Sequence, residues 1–337
     1  MNRGESVRPG AVPMDEEPAL PARALAPAKI NLGLLVGPTR VKDGRHELVT
    51  VMQSISLGDE LTLERAPAGV AEDEVVCPGV PSAPTQNLAG VALKAFRAAT
   101  GWDVPPLRLC IVKRIPVAAG LGGGSADAAA ALRLASYASG LGDEELLREL
   151  GAALGADVPA QISPGRWLAT GGGEHLLELP TPSRSFGVLV LPVAAELSTA
   201  AVYAEADRLG LGRTSRELEE RRLALTSALE LGAPVPVVKG LLHNSLQAAA
   251  ISLCPEISGA LEQARESGAE EVLVSGSGPT VVGLFPRANG LGGAQRAVAG
   301  LEGRLPAPVC ATPVDAEFAR ARTAAEPRLD AGWGPTG

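Results

Sequence analysis

The chain has 337 residues, of which 46% are hydrophobic and only 3% aromatic, and its formal net charge is −8. This length suggests about two domains, whose cores must consist mainly of Ala, Val and Leu. The negative charge argues against a nucleic-acid partner, because phosphate backbones are bound by basic surfaces. It leaves a small nucleotide open as a ligand, because main-chain amides at a helix start can bind a phosphate.

The spacing of the cysteines and histidines gives no indication of a metal site. The four cysteines lie far apart, and the three histidines are not spaced like metal ligands, which argues against zinc. Such isolated cysteines are typical of the reducing cytoplasm. The sequence contains no apolar run long enough to span a bilayer, so we expect no membrane partner. The polar, Pro-rich N-terminus lacks the apolar core of a signal peptide.

A disordered tail is predicted over 1–22, followed by a first domain over 23–185. Gly58 and Asp59 predict a turn between two strands, and Asn87 and Gly101 predict the two ends of a helix. The predicted elements are, in chain order, the strands RALAPAKINLGLLV, HELVTVMQSISL and DELTLERA, the helix NLAGVALKAFRAATG, the strand LRLCIVKRIP, the helix after the glycine loop, and the helix DEELLRELGAALG.

A second domain is predicted over 186–315, with a tail over 316–337. Strands and helices are mixed along the whole chain and do not alternate strictly, which indicates an α+β fold. The predicted elements are the strand FGVLVLP, the helices STAAVYAEADRLG, SRELEERRLALTSALELG, GLLHNSLQAAAI and CPEISGALEQARESG, the strands EEVLV and TVVGLF around SGSGP, a helix near 292–301, and the strand APVCATPV.

The stretch GLGGGSADAAAALRLAS, residues 120–136, places a cluster of glycines directly before an alanine-rich helix. The first amides of a helix have no intrahelical partners and carry partial positive charge. Preceding glycines let a bulky anion approach the backbone, so the stretch predicts a site for a di- or triphosphate. Ser125 is a candidate helix cap, and Asp127 is placed in the first turn. The alternative is a flexible turn followed by a capped helix.

Two common phosphate loops do not fit this stretch. A Walker A loop ends in Gly-Lys-Ser/Thr, whereas Gly124 is followed by Ser125 and Ala126 without a lysine. A dinucleotide fingerprint needs a glycine at its sixth position, which is Ser125 here. That fingerprint also needs a tight turn between strand and helix. Here the residues PVAAG separate the strand from the glycines, so the connection is too long.

Three further motifs carry polar groups in otherwise apolar surroundings. In the strand PAKINLGL, Lys29 and Asn31 point to one face and Ile30 to the other. SGSGPT, residues 275–280, joins two strands, and LGADVPA places Asp157 just after a helix. Each has a simpler alternative: a solvent-facing strand, an ordinary loop of small residues, and a cap for the next turn.

Together and in this order, these motifs resemble those of the GHMP kinase superfamily of small-molecule kinases. The resemblance rests on PAKINL, DGRHEL, PVAAGLGGGSADAA, LGADVP and VSGSGPT, and it covers roughly 23–314. It implies a two-domain GHMP kinase fold with the active site in the cleft between the domains. It also implies an acceptor that is a cytidine diphosphate-linked methylerythritol, within non-mevalonate isoprenoid precursor biosynthesis.

The same resemblance assigns roles to individual residues. Lys29 and Asp157 match the catalytic pair of the family. Asp157 would accept the proton of the acceptor's 2-hydroxyl, and Lys29 would orient the Asp157 carboxylate. Asn31, His46 and Tyr203 match residues that contact the substrate. The residues that would wrap the ATP phosphates are Val117, Ala118, Ala119, Gly120, Leu121, Gly122, Gly123, Gly124, Ser125, Ala126 and Asp127.

Arg45 departs from the family pattern, which has a tyrosine that stacks on the cytosine at this position. An arginine plane can also stack on a base, or it can turn outward and leave the base held on one face. The expected small molecules are ATP, Mg²⁺ and the cytidine-linked acceptor, with the manner of Mg²⁺ binding open. The alternatives are a superfamily kinase with a different acceptor and a non-catalytic nucleotide-binding protein.

Overall fold

A computed structural model describes residues 18–80, 87–182, 185–229, 242–287 and 289–326. Its strands are β1 (Ala22–Thr39), β2 (His46–Arg65), β3 (Glu74–Val76), β4 (Leu107–Val112), β5 (Arg166–Gly171), β6 (His175–Leu179), β7 (Gly187–Leu191), β8 (Glu271–Val274), β9 (Val281–Phe285), β10 (Val309–Ala311) and β11 (Arg322–Thr323). Its helices are α1 (Leu88–Thr100), α2 (Gly123–Ser139), α3 (Glu144–Leu154), α4 (Val158–Ile162), α5 (Thr199–Arg208), α6 (Ser215–Leu229), α7 (Gln247–Leu253), α8 (Glu256–Glu266) and α9 (Gly290–Gly300).

The larger sheet has seven strands and is organised around the long antiparallel pair β1 and β2. Its order is β11-β1-β2-β4-β3, and β5 pairs with another part of β2 and carries β6 on its far side. Helix α2 packs against β1 and β2. Since α2 is rich in alanine and buries residues on most sides, it can approach the sheet closely.

β2 is one strand of 20 residues, so the turn predicted at Gly58 and Asp59 is wrong. The pairing with β1 changes register here: Pro27 lies opposite Gly58, but Ala28 lies opposite Ile55. The glycine is needed for close approach, because a Cβ at Gly58 would lie 2.9 Å from the carbonyl oxygen of Ala26. The two turn-forming residues therefore mark a bulge within a continuous strand.

Several helix ends fall where the sequence places them. The side chain of Asn87 caps α1 by accepting a hydrogen bond from Ala89 N, and Gly101 ends α1 with φ +67°. Asp143 caps α3 through Leu146 N. These local signals work because a capping side chain and a left-handed glycine act on their own turn alone.

The smaller sheet contains four strands in the order β10-β7-β9-β8. Helix α7 begins at Gln247, several residues later than the predicted helix GLLHNSLQAAAI. Asn244 instead forms an isolated bridge with Leu34 of β1, and residues 240–241 lie outside the described residues. This bridge ties the segment before α7 to the larger sheet.

Residues 316–323, predicted as part of a tail, form a short 3₁₀-helix at Ala316–Ala319 and strand β11. β11 pairs with the start of β1, with Arg322 opposite Arg23. The pairing is long-range, which is why local sequence gives no signal for it. The predicted tail residues 1–17 and 327–337 lie outside the described residues.

The principal core is built mainly from Ala, Val and Leu, as the composition predicts. It joins both sheets, because Val188 and Val282 of the smaller sheet belong to the same cluster as Ile30 and Leu61 of the larger one. The α+β class is confirmed. The mixed connectivity brings β1, α2, α4 and the loop between β8 and β9 together at one place.

Candidate active site

Lys29 and Asn31 lie on β1 and are both buried, with 8% and 4% of their surface exposed. The ammonium of Lys29 donates to Asn31 Oδ1 at 2.8 Å, and Asn31 Nδ2 donates to Thr50 Oγ1 at 2.7 Å. The hydroxyl of Thr50 in turn donates to the carbonyl of Gly33 at 2.7 Å. This chain of hydrogen bonds excludes the alternative of a plain solvent-facing strand and fixes the orientation of Lys29.

Asp157 lies at the N-cap position of α4, but its side chain makes no capping hydrogen bond. Its Oδ2 instead lies 3.4 Å from Lys29 Nζ, and 36% of its side chain remains exposed. The capping alternative is therefore not realised. The structure brings the two predicted catalytic residues together as an ion pair that leaves carboxylate surface open to a ligand.

The glycine loop leads into α2 one turn earlier than predicted. The helix begins at Gly123 with Gly122 at the N-cap, so Ser125 lies in the first turn and is not the cap. The first amides of α2 have no intrahelical partners and border an open cavity of about 380 Å³. The predicted phosphate-binding residues that line it are Val117, Ala118, Ala119, Gly120, Leu121, Gly122, Gly123, Gly124, Ser125 and Asp127.

Ala126 is the exception among these predicted residues. It is fully buried, and its amide donates to the carbonyl of Gly122 at 2.9 Å. The amide therefore serves the first turn of the helix and is not available to a phosphate.

Two glycines of the loop have little space for a side chain. Gly120 has φ +74°, and a Cβ there would lie 2.5 Å from the carbonyl oxygen of Ser275. Gly122 has φ +71°, and a Cβ there would lie 2.9 Å from Lys29 Cγ. Both positions combine a left-handed backbone with a close contact, so glycine is required at each.

The SGSGPT loop packs against the glycine loop. It is therefore more than an ordinary connection between two strands. Ser275 Oγ donates to the carbonyl of Gly120 at 3.2 Å. A Cβ on Gly276 would lie 3.3 Å from Asn31 Oδ1. Asn244, which the sequence motifs do not include, donates to the carbonyls of Val274 and Gly276. The two glycine loops therefore meet beside Lys29 and Asn31.

A second lysine with two aspartates lies on the other side of the glycine loop. The Lys113 ammonium is paired with Asp59 and lies 2.8 Å from Asp127 Oδ2. Asp59 is fully buried and also accepts hydrogen bonds from the amides of Arg114 and Ile115. Burial and the neighbouring Asp59 raise the pKa of Asp127 to about 7, against the opposing effect of Lys113.

This arrangement changes the expected role of Asp127. Its carboxylate is buried and engaged with Lys113, and its Oδ1 has no hydrogen-bond partner in the described part of the chain. Lys113 lines the cavity together with Asp127, and its Nζ would lie 3.4 Å from a Cβ on Gly123. Lys113 stands only seven residues before Gly120, but Asp59 is distant in sequence and gave no signal.

The predicted substrate residues His46 and Tyr203 lie together. Their ring centroids are 5.4 Å apart with 31° between the planes. His46 Nδ1 lies 3.0 Å from the carbonyl of Gly37 and Nε2 lies 3.3 Å from Asp207 Oδ2. Burial, together with the charge of Asp157, raises the pKa of Tyr203 to about 12, so the phenol is neutral at physiological pH.

Arg45 is exposed at the end of the β1–β2 hairpin. Its main-chain amide donates to Asp43 Oδ1 at 3.2 Å. Within the described residues its guanidinium forms no hydrogen bond or ion pair.

Two features are absent from the described residues. No group of three or more His, Cys, Asp or Glu side chains is arranged to hold a metal ion. Over the same residues, no helix is both long and apolar enough to cross a bilayer.

The class of protein follows from comparison with family models. The model of the GHMP kinases N terminal domain matches residues 87–165, which include the glycine loop and Asp157. The model of the GHMP kinases C terminal domain matches residues 225–301, which include the SGSGPT loop. The chain thus has the fold of a GHMP kinase.

Individual relatives narrow this class. A 4-diphosphocytidyl-2-C-methyl-D-erythritol kinase of Nocardia farcinica is 44% identical over 273 residues, covering 80% of this chain and 86% of the relative. One of Kineococcus radiotolerans is 40% identical, with 80% and 84% covered. A crystal structure of a 4-(cytidine 5'-diphospho)-2C-methyl-D-erythritol kinase is 33% identical with a TM-score of 0.66, covering 86% of this chain and 98% of that one. The chain therefore belongs to the family of 4-diphosphocytidyl-2-C-methyl-D-erythritol kinases.

Proposed function

We propose that this chain transfers the γ-phosphoryl group of ATP to the 2-hydroxyl of 4-diphosphocytidyl-2-C-methyl-D-erythritol, a step of non-mevalonate isoprenoid precursor biosynthesis. The observation that carries the proposal is the Lys29–Asp157 ion pair, which adjoins the glycine loop through the contact between Gly122 and Lys29. The identity of the proposed acceptor is taken from the names of the relatives of this chain.

The cavity at the start of α2 suits the phosphates of ATP. Its lining includes the residues of the glycine loop and Lys113. Helix-start amides favour anions, whereas the Lys113 ammonium is already paired with Asp59 and Asp127. The negative net charge of the chain is compatible with this, because the positive potential is local.

Mg²⁺ is proposed as the companion of ATP. In phosphoryl transfer it neutralises charge that develops on the β- and γ-phosphates. It commonly keeps several waters and takes few protein ligands besides the phosphates. That mode fits a site whose described residues offer no three-ligand cluster, and Ser125 at the cavity wall is the hydroxyl nearest in sequence to the helix start.

In the proposed reaction the residues mainly position charged groups, because phosphoryl transfer passes through a loose transition state. Asp157 accepts the proton of the acceptor's 2-hydroxyl as the oxygen bonds to phosphorus. Lys29 holds the carboxylate from one side at 3.4 Å, while Asn31 holds Lys29. General-base assistance of this kind contributes about 10²- to 10⁴-fold in rate.

The acceptor is proposed to lie along the surface formed by His46, Tyr203 and Asp157. His46 and Tyr203 supply adjacent rings for the cytosine, and Asn31 and Asp157 mark the reacting end. Arg45 is exposed and is free to swing over the open face of the base as a stacking cation. The free cysteines support the cytoplasm as the compartment.

The test is an ADP-release assay with ATP and a panel of acceptors: the cytidine-linked methylerythritol, its uridine-linked analogue, homoserine, mevalonate and galactose. We expect turnover with the cytidine compound and at least tenfold lower kcat/KM with the uridine analogue. Turnover with another of these acceptors, and none with the cytidine compound, would make the chain a superfamily kinase with a different acceptor. This is the alternative that Arg45 favours. ATP binding without turnover on any acceptor would instead favour a non-catalytic nucleotide-binding protein.

A further inference from the structure

We infer that Arg133 and Gln161 are positioning residues that hold Asp157 opposite Lys29, through hydrogen bonds that tie α4 to β1 and β2. The inference rests on the proposed function and extends it to residues that contact neither ATP nor the acceptor. Gln161 follows the LGADVPA motif directly, and Arg133 lies in the helical part of the stretch 120–136, but the sequence patterns assign neither residue a role.

Asp157 needs such support because its own turn does little to fix it. It precedes a helix of only five residues, α4, and forms no side-chain capping bond. Its ion-pair contact to Lys29 is 3.4 Å long, which is too long for a strong charge-assisted hydrogen bond. The position of the carboxylate therefore depends on how α4 is attached to the sheet.

Gln161, four residues after Asp157, makes that attachment to both strands. It is buried, with 2% of its surface exposed. Its Nε2 donates to the carbonyl of Pro27 at 3.1 Å, and its Oε1 accepts from Ser54 Oγ at 3.4 Å. Pro27 precedes Lys29 by two residues, and Ser54 is the β2 residue directly opposite Lys29. The amide group of Gln161 thus joins α4 to β1 close to Lys29 and to the β2 residue opposite Lys29.

Arg133 of α2 completes the link with three main-chain carbonyls. Its guanidinium donates to Gln161 O, to Leu25 O at 2.8 Å and to Ala319 O at 3.2 Å. These carbonyls belong to α4, β1 and the C-terminal 3₁₀-helix. Arg133 therefore joins the helix behind Asp157 to the strand that carries Lys29, and it anchors the segment that had been predicted as a tail.

The hydrogen-bond acceptors of Arg133 indicate that its guanidinium fixes the position of the backbone and does not neutralise a negative charge. These three acceptors of Arg133 are neutral carbonyls, and its removal from water lowers its pKa to about 9. A planar guanidinium offers five donors in a rigid fork, so it can fix the separation of three backbone segments at once. Displacement of a catalytic group by about 1 Å can reduce the rate about 10²-fold.

The experiment compares wild type with Arg133→Ala in the full chain. We expect kcat to fall about 10- to 100-fold while the KM for ATP changes less than twofold. Arg133 borders an open surface cavity of about 430 Å³, so millimolar guanidinium should enter and restore at least a third of the lost kcat. Gln161→Met, which keeps size but removes both hydrogen bonds, should lower kcat similarly without guanidinium rescue.

Arg304→Ala is the matched control. Arg304 also donates to two main-chain carbonyls, Pro192 O and Pro306 O, but it lies beside the smaller sheet. We expect this variant to lose thermal stability and keep the wild-type kcat, without activation by guanidinium. Unchanged kcat in both Arg133→Ala and Gln161→Met, or an equal kcat loss in Arg304→Ala, would overturn the inference.

A structural readout separates this inference from the proposed function. Crystal structures of wild type and of whichever Arg133 variant folds, Ala or Lys, report the distance from Lys29 Nζ to Asp157 Oδ2. We expect it to exceed about 4 Å, the usual limit of an ion pair, in the variant. This measurement stands whether or not the cytidine compound proves to be the acceptor, and an unchanged distance would contradict the inference even if turnover fell.

Discussion

Two lysine–aspartate clusters flank the same glycine loop and differ in almost every other respect. On one side, Lys29 faces a single carboxylate, Asp157, of which 36% is exposed. On the other, Lys113 lies between two carboxylates, Asp59 and Asp127, whose side chains are 0% and 6% exposed. Gly122 adjoins the first lysine and Gly123 the second.

The two clusters differ in how far their carboxylates are accessible to a ligand. The Asp157 carboxylate keeps open surface, so a substrate hydroxyl can reach it. Asp59 has no open surface, because its oxygens accept from Lys113, Arg114 and Ile115. We propose that reaction takes place at the first cluster, whereas the second holds the segment that precedes the glycine loop. Each variant below tests one side of that division.

Asp157→Asn should give the largest effect. We expect kcat to fall about 10²- to 10⁴-fold, with little change in the KM for ATP or in Tm, because the amide fills the same space without accepting the proton. Steady-state kinetics and a thermal scan measure both. The control is Asp143→Ala, since Asp143 does cap its helix and should lose about 1 kcal/mol of stability at constant kcat. Wild-type turnover in the Asp157→Asn variant would remove the carboxylate from the reaction.

Asp59→Ala should instead act on stability. Breaking a buried ion pair costs about 3–5 kcal/mol, and here two main-chain amides also lose their acceptor. Urea denaturation gives the free energy of unfolding. Asp43→Ala is the comparison, because Asp43 is exposed in the hairpin beside Arg40 and such pairs contribute at most about 1 kcal/mol. Equal losses in the two variants would show that burial does not distinguish the clusters.

The sequence predicted the proximity of Lys29, Asp157 and the glycine loop but gave no indication of the pairing of Lys113 with Asp59. Lys29, Asp157 and the glycine loop stand in motifs whose local pattern carries the information. Lys113 and Asp127 lie close to the loop in sequence, but their partner Asp59 lies in a Gly-Asp pair that usually marks a turn. Its burial follows from the bulge between β1 and β2, which depends on strand pairing. The same limit applies to β11, whose partner strand is some 300 residues away.

Asp127→Asn should change the pH dependence of stability. The pKa of Asp127 in the folded chain, about 7, lies above that of an unfolded aspartate, about 3.9. Between these values the folded state binds more protons, so stability falls as pH rises from about 4 to 7, by at most about 1.4 kcal/mol per pH unit. The asparagine variant lacks this titration.

The measurement is the difference in unfolding free energy between variant and wild type at pH 5, 6, 7 and 8. We expect the difference to move in favour of the variant as pH rises and to level off above about 7. A difference independent of pH would mean that Asp127 is ionised throughout this range, and that the Lys113 cluster carries a net negative charge beside the cavity.

Gly122→Ala should reduce stability less than Asp59→Ala does, and it tests the boundary between the clusters. A left-handed backbone costs an ordinary residue about 1–2 kcal/mol. Gly140, at the other end of α2, has nearly the same φ, +69° against +71°, but nothing lies within 4 Å of a Cβ there. Gly140→Ala should therefore lose similar stability and keep kcat. In Gly122→Ala the new methyl group would lie 2.9 Å from Lys29 Cγ and must displace the lysine, so kcat should fall as well. If both alanine variants kept the wild-type kcat, the reactive side would tolerate movement of Lys29, and the contrast between a precisely held pair and a purely structural cluster would not hold.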